Sequence, residues 1–266
     1  TDMAGLKLSS DLANNSVFSE LNLAIAWANV NHGMDNHSLR KQPPMTMKYR
    51  HNQANAENLS WSLDTLLPLT ASELKLGIDS NRQTHDSLIT NPTNDHFEVN
   101  NFVDSERDSL GVFAELNGNH HSWDYQVGYR HNRIELNSAT VGAMGMMGSD
   151  MDMGMNNNVC STMHDCAKEL ANAFNQADRT LNHNTNNLVV KLNRALDKDT
   201  ALSIDLGIKQ RAPSYRETYL WVPLSITGGL ADGRNYVGNL NLKPETPNPT
   251  TLNLKTINLQ TLDPNT

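Results

Sequence analysis

The sequence predicts an all-β fold, an antiparallel transmembrane β-barrel of which this chain forms a part. Three observations predict it. Apolar residues recur with a period of two rather than about 3.6. The expected connections between strands alternate between short and long. Only 38% of the 266 residues are hydrophobic, too few for a large packed core but enough for a wall that is apolar on one face alone.

The periodicity justifies the elements in turn. From Phe18 to Val30, Leu21, Leu23, Ile25 and Trp27 share one face, and Asn22 with Ala24, Ala26 and Ala28 the other. Leu74, Leu76 and Ile78 oppose Glu73, Lys75, Gly77 and Asp79. Leu110, Val112, Ala114 and Leu116 alternate with Gly111, Phe113 and Glu115. Trp123, Tyr125, Val127 and Tyr129 alternate with Asp124, Gln126, Gly128 and Arg130. Leu188, Val190 and Leu192 form one set; Leu202, Ile204, Leu206 and Ile208 form the next; Leu252 and Leu254 the last. These patterns give nine strands, at about 4–13, 17–31, 56–67, 71–83, 106–117, 121–135, 181–196, 200–212 and 249–260.

Short turns are expected at Asn14-Asn15-Ser16, Pro68-Leu69-Thr70, Gly118-Asn119-His120 and Asp197-Lys198-Asp199, and long connections at 32–55, 84–105, 136–180 and 213–248. In an antiparallel meander, alternate connections emerge on opposite ends. All long loops therefore share one end, the pattern of outer-membrane barrels. Loops longer than about 15 residues are uncommon in compact soluble domains. A soluble β-sandwich with decorated loops is the competing fold. Aromatics are 6% of the chain, so the girdles of such a barrel are thin; Trp27, Trp61, Trp123, Tyr125 and Tyr129 are the candidates. Nine strands is odd, whereas closed single-chain barrels of this class have even numbers. The chain is expected to be a slice of a larger barrel, with both ends cut points inside a longer chain.

Composition excludes several functions. A net charge of −8 and a pI of about 5.6 oppose a general nucleic-acid partner. No run approaches the roughly 20 apolar residues of a membrane helix. Polarity comes largely from 35 Asn rather than from charge. No Gly-x-Ser-x-Gly, phosphate-binding loop or His-Glu-x-x-His occurs, and no enzyme is expected. Cys160 and Cys166 are the two cysteines. They are disulfide candidates in an oxidising compartment, with free thiols or metal ligands as the alternatives.

Methionine is the chemical signal. Ten of eleven Met fall in the long connections: Met34, Met45 and Met47 in the first, and Met144, Met146, Met147, Met151, Met153, Met155 and Met163 in the third. Core filler would place Met on apolar strand faces. Soft thioethers select Cu(I), and imidazole suits either copper state. A thioether also needs no deprotonation to bind. The seven Met of the third connection, followed by His164, read as a copper-collecting loop. Segment 136–180 carries five acidic and two basic residues, a modest attraction for cations. A low-complexity loop with incidental Met is the alternative. His32 and Met34 stand at i and i+2, so in an extended segment they share a face and can meet one ion.

Residues 210–245 carry a resemblance. Gln210-Arg211-Ala212-Pro213-Ser214-Tyr215-Arg216-Glu217 precedes Tyr219-Leu220-Trp221-Val222-Pro223-Leu224, Gly228-Gly229-Leu230-Ala231-Asp232-Gly233-Arg234 and Gly238-Asn239-Leu240-Asn241-Leu242-Lys243-Pro244-Glu245. The Asn-Leu-x-Leu-Lys-Pro-Glu ending resembles TonB-dependent outer-membrane receptors. The segments before it, and His32-Gly33-Met34-Asp35-Asn36 with Pro43-Pro44-Met45-Thr46-Met47, are similar to the copper branch of that family. The resemblance implies a barrel of twenty-two strands, with residues 1–266 a partial barrel domain lacking the plug. It implies the outer membrane with its lipid as the location, long loops extracellular, and coupling to the TonB-ExbB-ExbD complex through a plug and Ton box. It implies that a His-x-Met pair, matched here by His32 and Met34, faces a Cys-x-x-x-Met pair on the plug. Cys160-Ser161-Thr162-Met163 has another spacing, so that role is not transferred. The alternatives are a siderophore-type receptor of the same superfamily and a soluble secreted metal-binding module.

Overall fold

The computed structural model describes residues 1–12, 17–39, 41–42, 45–144, 163–197, 200–222, 236–246 and 260–261. Eight long strands dominate: β1 (Asp2–Asp11), β2 (Glu20–Asp35), β3 (His51–Pro68), β4 (Ser72–Asn91), β5 (Asn94–His120), β6 (Trp123–Asn137), β8 (Leu181–Ala195) and β9 (Thr200–Ile208). Short elements lie between and after them: β7 (Ala143–Met144), α1 (Met163–Gln176), α2 (Tyr215–Tyr219), β10 (Trp221–Val222), β11 (Tyr236–Val237) and β12 (Gln260–Thr261). The main sheet runs β1-β2-β3-β4-β5-β6-β8-β9-β12, with β7 beside β5. Every pairing is antiparallel. This is the wall of a β-barrel, a meander open at β1 and β12 among the described residues.

The register assigns each side chain a face, because strand side chains alternate. One outer-face row joins Leu23, Leu63, Ile78 and Val112, and the next joins Leu21, Thr65, Leu76 and Ala114. Leu21, Leu63 and Val112 remain exposed, which in water would be a liability and in lipid is the stable arrangement. The opposite face is polar and cross-linked between strands. The Asn22 amide donates to Asp64 (3.1 Å), which also pairs with Lys75 (3.1 Å). Arg130 donates both terminal nitrogens to Asp79 at 2.6 Å. Phe113 and Arg130 lie across Gly77 and Gly111, where a Cβ would collide with them. Glycine there lets large side chains pack flat on the inner face.

Above the apolar band the outer face turns polar. Arg82 pairs with Glu106 (3.1 Å), and Trp27 donates its indole N–H to Glu57 (2.6 Å). Strands β4 and β5 nevertheless continue for about ten further residues, roughly 34 Å at about 3.4 Å per residue. They join through Pro92 and Thr93. This corrects the expected long connection at 84–105: it is a hairpin beyond the membrane band. No lipid bounds either face there, so apolar alternation is not required and the strand signal fades. A register irregularity at His85–Ser87 and a positive φ of 42° at Asp104, a conformation Asp tolerates, broke the period further. The same reasoning accounts for β3 starting at His51 rather than near 56.

Other boundaries shift too. The turn expected at 118–120 sits at His121 and Ser122, between β5 and β6. The segment 136–180 contains α1, and 213–248 contains α2, β10 and β11. Strand 249–260 and the turn at Asn14-Asn15-Ser16 lie outside the described residues except for Gln260, which with Thr261 pairs β9.

The hydrophobic core lies at the end that carries the long connections. Ile89, Phe97, Val99, Ile134, Leu136, Val141, Phe174, Tyr219 and Trp221 form it. It joins β4, β5 and β6 to α1 and α2. Arg179 fixes the helix, donating to the carbonyls of Ser138 (3.1 Å) and Asn175 (2.5 Å). The Tyr219 hydroxyl donates to the Arg179 carbonyl at 2.6 Å. Helices α1 and α2 and strand β10 thus pack onto the inner face as one cap.

Candidate metal site

His32 and Met34 lie near the end of β2, and both are exposed. They share the parity of Asn22, so they sit on the inner face. Their partners across β3 are Ala54 and Asn52. Alanine beside His32 leaves the imidazole room. Asn52 is engaged elsewhere, accepting from the Ser87 hydroxyl at 2.7 Å. The two soft or borderline donors therefore stand on one strand face, as the i, i+2 spacing predicted.

The segment after β2 is tied down. The Asp35 carboxylate accepts from the Ser38 hydroxyl (2.6 Å) and from the backbone N–H groups of Ser38 (2.6 Å) and His37 (2.9 Å). Those bonds, the hydroxyl first, hold its pKa well below the usual carboxylate range. His37 stacks on Tyr49 at 5.0 Å between centroids, and its Nε2 is buried without a hydrogen-bond partner among the described residues. Met45 precedes a single 3₁₀ turn, Thr46–Lys48, and is exposed.

Only the two ends of the methionine-rich connection are among the described residues. Met144 lies in β7, opposite Glu98 of β5, four strand spacings or about 19 Å from β2. Met163 and His164 open α1. Their side chains, like that of Cys166, lie outside the described residues. So do Met146, Met147, Met151, Met153, Met155 and Cys160, and with them the Cys160–Cys166 pairing. Among the described residues, no three His, Cys, Asp or Glu converge as a metal site. His32 and Met34 offer two donor groups on one strand face, fewer than a metal site needs.

Glu217 and Glu245, which belong to the motif-bearing segment, are structural. Arg211 donates to Glu217 through both terminal nitrogens at 2.9 Å, and to Glu245 at 2.8 and 3.1 Å. Arg211 and Glu245 also exchange backbone hydrogen bonds of 3.2 and 2.8 Å. Ser214 and Glu217 form a capping box at α2. The clamp thus joins the two ends of the motif-bearing segment, and the signal was its pairing of Arg211 with the final Glu245. The Arg211 guanidinium, then the Ser214 bonds, hold the Glu217 carboxyl down at about 2. A depressed carboxylate stabilises the fold above its unfolded value near 4.5, and that contribution vanishes as pH falls towards 2. Acidification from pH 5 to 2 should therefore lose amide-exchange protection across 211–222 before β2–β5 lose theirs. Arg211→Gln should diminish that pH dependence; an unchanged pH response in the variant would refute the clamp.

The fold and face pattern define a β-barrel wall of the membrane-spanning class. The chain matches the family described as TonB dependent receptor-like, beta-barrel, over residues 1–248, and it belongs to that family. The family is one of outer-membrane receptors and transporters rather than enzymes. Among solved structures, the chain is similar to one titled "Copper transporter OprC", with 19% identity and a TM-score of 0.58. The similarity covers 81% of this chain and 30% of that one, so the chain spans less than a third of that protein's length. No curated protein sequence matches.

Proposed function

We propose that residues 1–266 are part of the barrel of an outer-membrane, TonB-dependent receptor that takes up copper. The observation that carries this is the pairing of exposed His32 and Met34 on the inner face of β2. A thioether and an imidazole on one strand face suit copper in either oxidation state. The fold likeness to a copper transporter supports the reading. So does the methionine content of residues 144–163. In this reading the end of the sheet that carries the long connections is extracellular. Met144, Met146, Met147, Met151, Met153, Met155 and Met163 with His164 gather the ion, and His32 with Met34 passes it into the lumen. Energy comes from TonB-ExbB-ExbD acting on a plug domain.

The test is a copper titration of the purified full-length receptor, once with Cu(I) and once with Cu(II). His32→Ala combined with Met34→Ala should weaken the tightest phase at least tenfold. Unchanged affinity would sink the assignment of these two residues. Growth limited by copper rather than iron, in cells relying on the receptor, separates this reading from a siderophore-type receptor.

A further inference from the structure

We propose that the tight turn between β5 and β6 is a metal site of its own, in which His120 and His121 hold a monovalent copper ion between their imidazoles. The choice of copper rests on the uptake reading above; the pairing of the two rings does not.

The turn is as short as a hairpin allows. β5 ends at His120 and β6 begins at Trp123, and these two residues pair, so His121 and Ser122 are the whole loop. The favoured two-residue loops have a positive φ at their first position, where Gly or Asn is the ordinary occupant. Here a histidine takes it, at φ 57°. Gly118 and Asn119 stand just before it, within β5. Among the described residues, Asp104 is the one other non-glycine residue with a positive φ. A bulky ring held in such a conformation points to a use for that ring.

The use is convergence. On a regular strand successive side chains point to opposite faces, and neighbouring rings part. The left-handed backbone at 121 breaks the alternation and brings its ring against that of His120. The centroids lie 4.2 Å apart with the planes at 73°. Both residues are exposed, and neither ring has a hydrogen bond or ion pair among the described residues.

The donor set selects the ion. Metal–imidazole bonds are about 2.0 Å long, so an ion between two rings holds their nitrogens at most about 4 Å apart, the scale of the separation here. No third His, Cys, Asp or Glu converges on the pair among the described residues. Zn(II) calls for four ligands and Cu(II) for a tetragonal set. Cu(I), with a filled d shell, is satisfied by two nitrogens in line. The turn lies at the end opposite the long connections, the periplasmic end in the uptake reading. The Arg194 guanidinium lies 5.5 Å from the centre of the Trp123 ring, an aromatic of the kind that marks a membrane boundary. The histidines stand just beyond it, in water. A two-coordinate ion there leaves by ligand exchange: an incoming donor binds as an imidazole departs, and copper stays monovalent.

The test is carbethoxylation of histidine, read by mass spectrometry, on the purified full-length receptor titrated anaerobically with Cu(I) against a competing chelator. His120 and His121 should become protected together, at one copper concentration. His121→Asn keeps a residue that tolerates the turn's backbone and removes the ligand; it should raise the copper needed to protect His120 at least tenfold. His120→Gln should do the same for His121. Zn(II) at the same free concentration should protect neither. Absence of protection in the parent, unchanged protection of one ring when the other is replaced, or equal protection by Zn(II) overturns the proposal. Protection of the turn is read apart from the titration of His32 and Met34, so the two readings fail separately.

Discussion

Ile78→Arg is expected to destabilise the membrane-inserted barrel by about 2–4 kcal/mol, the range for an arginine facing lipid near the midplane. The position follows from the register. Ile78 pairs with Leu63 on β3 and Val112 on β5, both outward and apolar. Along β4 it lies midway between Leu74, near the turn end, and Arg82, whose pairing with Glu106 marks the polar boundary. A guanidinium at 78 cannot reach either boundary without bending the side chain across two rows. Ala26→Arg supplies the comparison. Ala26 stands exposed on the opposite face of β2, across from Gly5 and Ser60, where an added cation meets a polar lining. Its cost should be less than half as large. Urea unfolding of the full-length receptor in lipid, followed by heat-modifiable migration, reads both. Equal costs would mean that the faces have been assigned the wrong way round, or that this sheet does not face lipid.

The same boundary explains what the sequence made legible. Between the turn end and Arg82, lipid outside and polar lining inside force strict alternation, and there each of the eight long described strands was readable within a few residues. β8 was expected at 181–196 and runs Leu181–Ala195. Beyond Arg82 the constraint lapses. His85, Asp86, Asn91 and Asn94 belong to a continuous hairpin, yet their polarity reads as loop. Helix α1 was hidden for another reason: its apolar face is satisfied by Phe97, Ile134 and Trp221, residues distant in sequence. The candidate site and its surroundings divide in the same way. His32 and Met34 were legible because a strand converts i, i+2 spacing into one face. The clamp of Arg211 on Glu217 and Glu245 was not, since it depends on which distant segments meet, and a single strand's pattern holds no such information.

Gly238→Ala is expected to undo the cap while sparing the barrel. Gly238 follows β11 and donates its N–H to the Leu220 carbonyl at 2.7 Å; Asn239 donates to Glu217 at 3.0 Å. A Cβ at 238 would be driven into the Thr218 carbonyl and would stand 2.7 Å from the Tyr219 nitrogen. These are backbone atoms of residues with no solvent exposure, so no side chain can swing aside to relieve the clash. Overpacking of this kind, with two hydrogen bonds lost, costs about 2–4 kcal/mol. The loss falls on one unit, because Gly238 closes the pairing of Tyr236 and Val237 with β10, and Tyr219 and Trp221 belong to the core that seats Phe174 of α1. Amide exchange should speed up at least tenfold across 215–222 and 236–246 and in α1, while β2, β3 and the membrane part of β4 keep their protection. Uniform loss across the sheet would show that the cap is needed to hold the wall. No loss in the cap would show that β11 does not dock against α2. The motif that ends at Glu245 would then be doing something other than what its glycine requires: bringing one backbone close enough to another that only hydrogen fits between them.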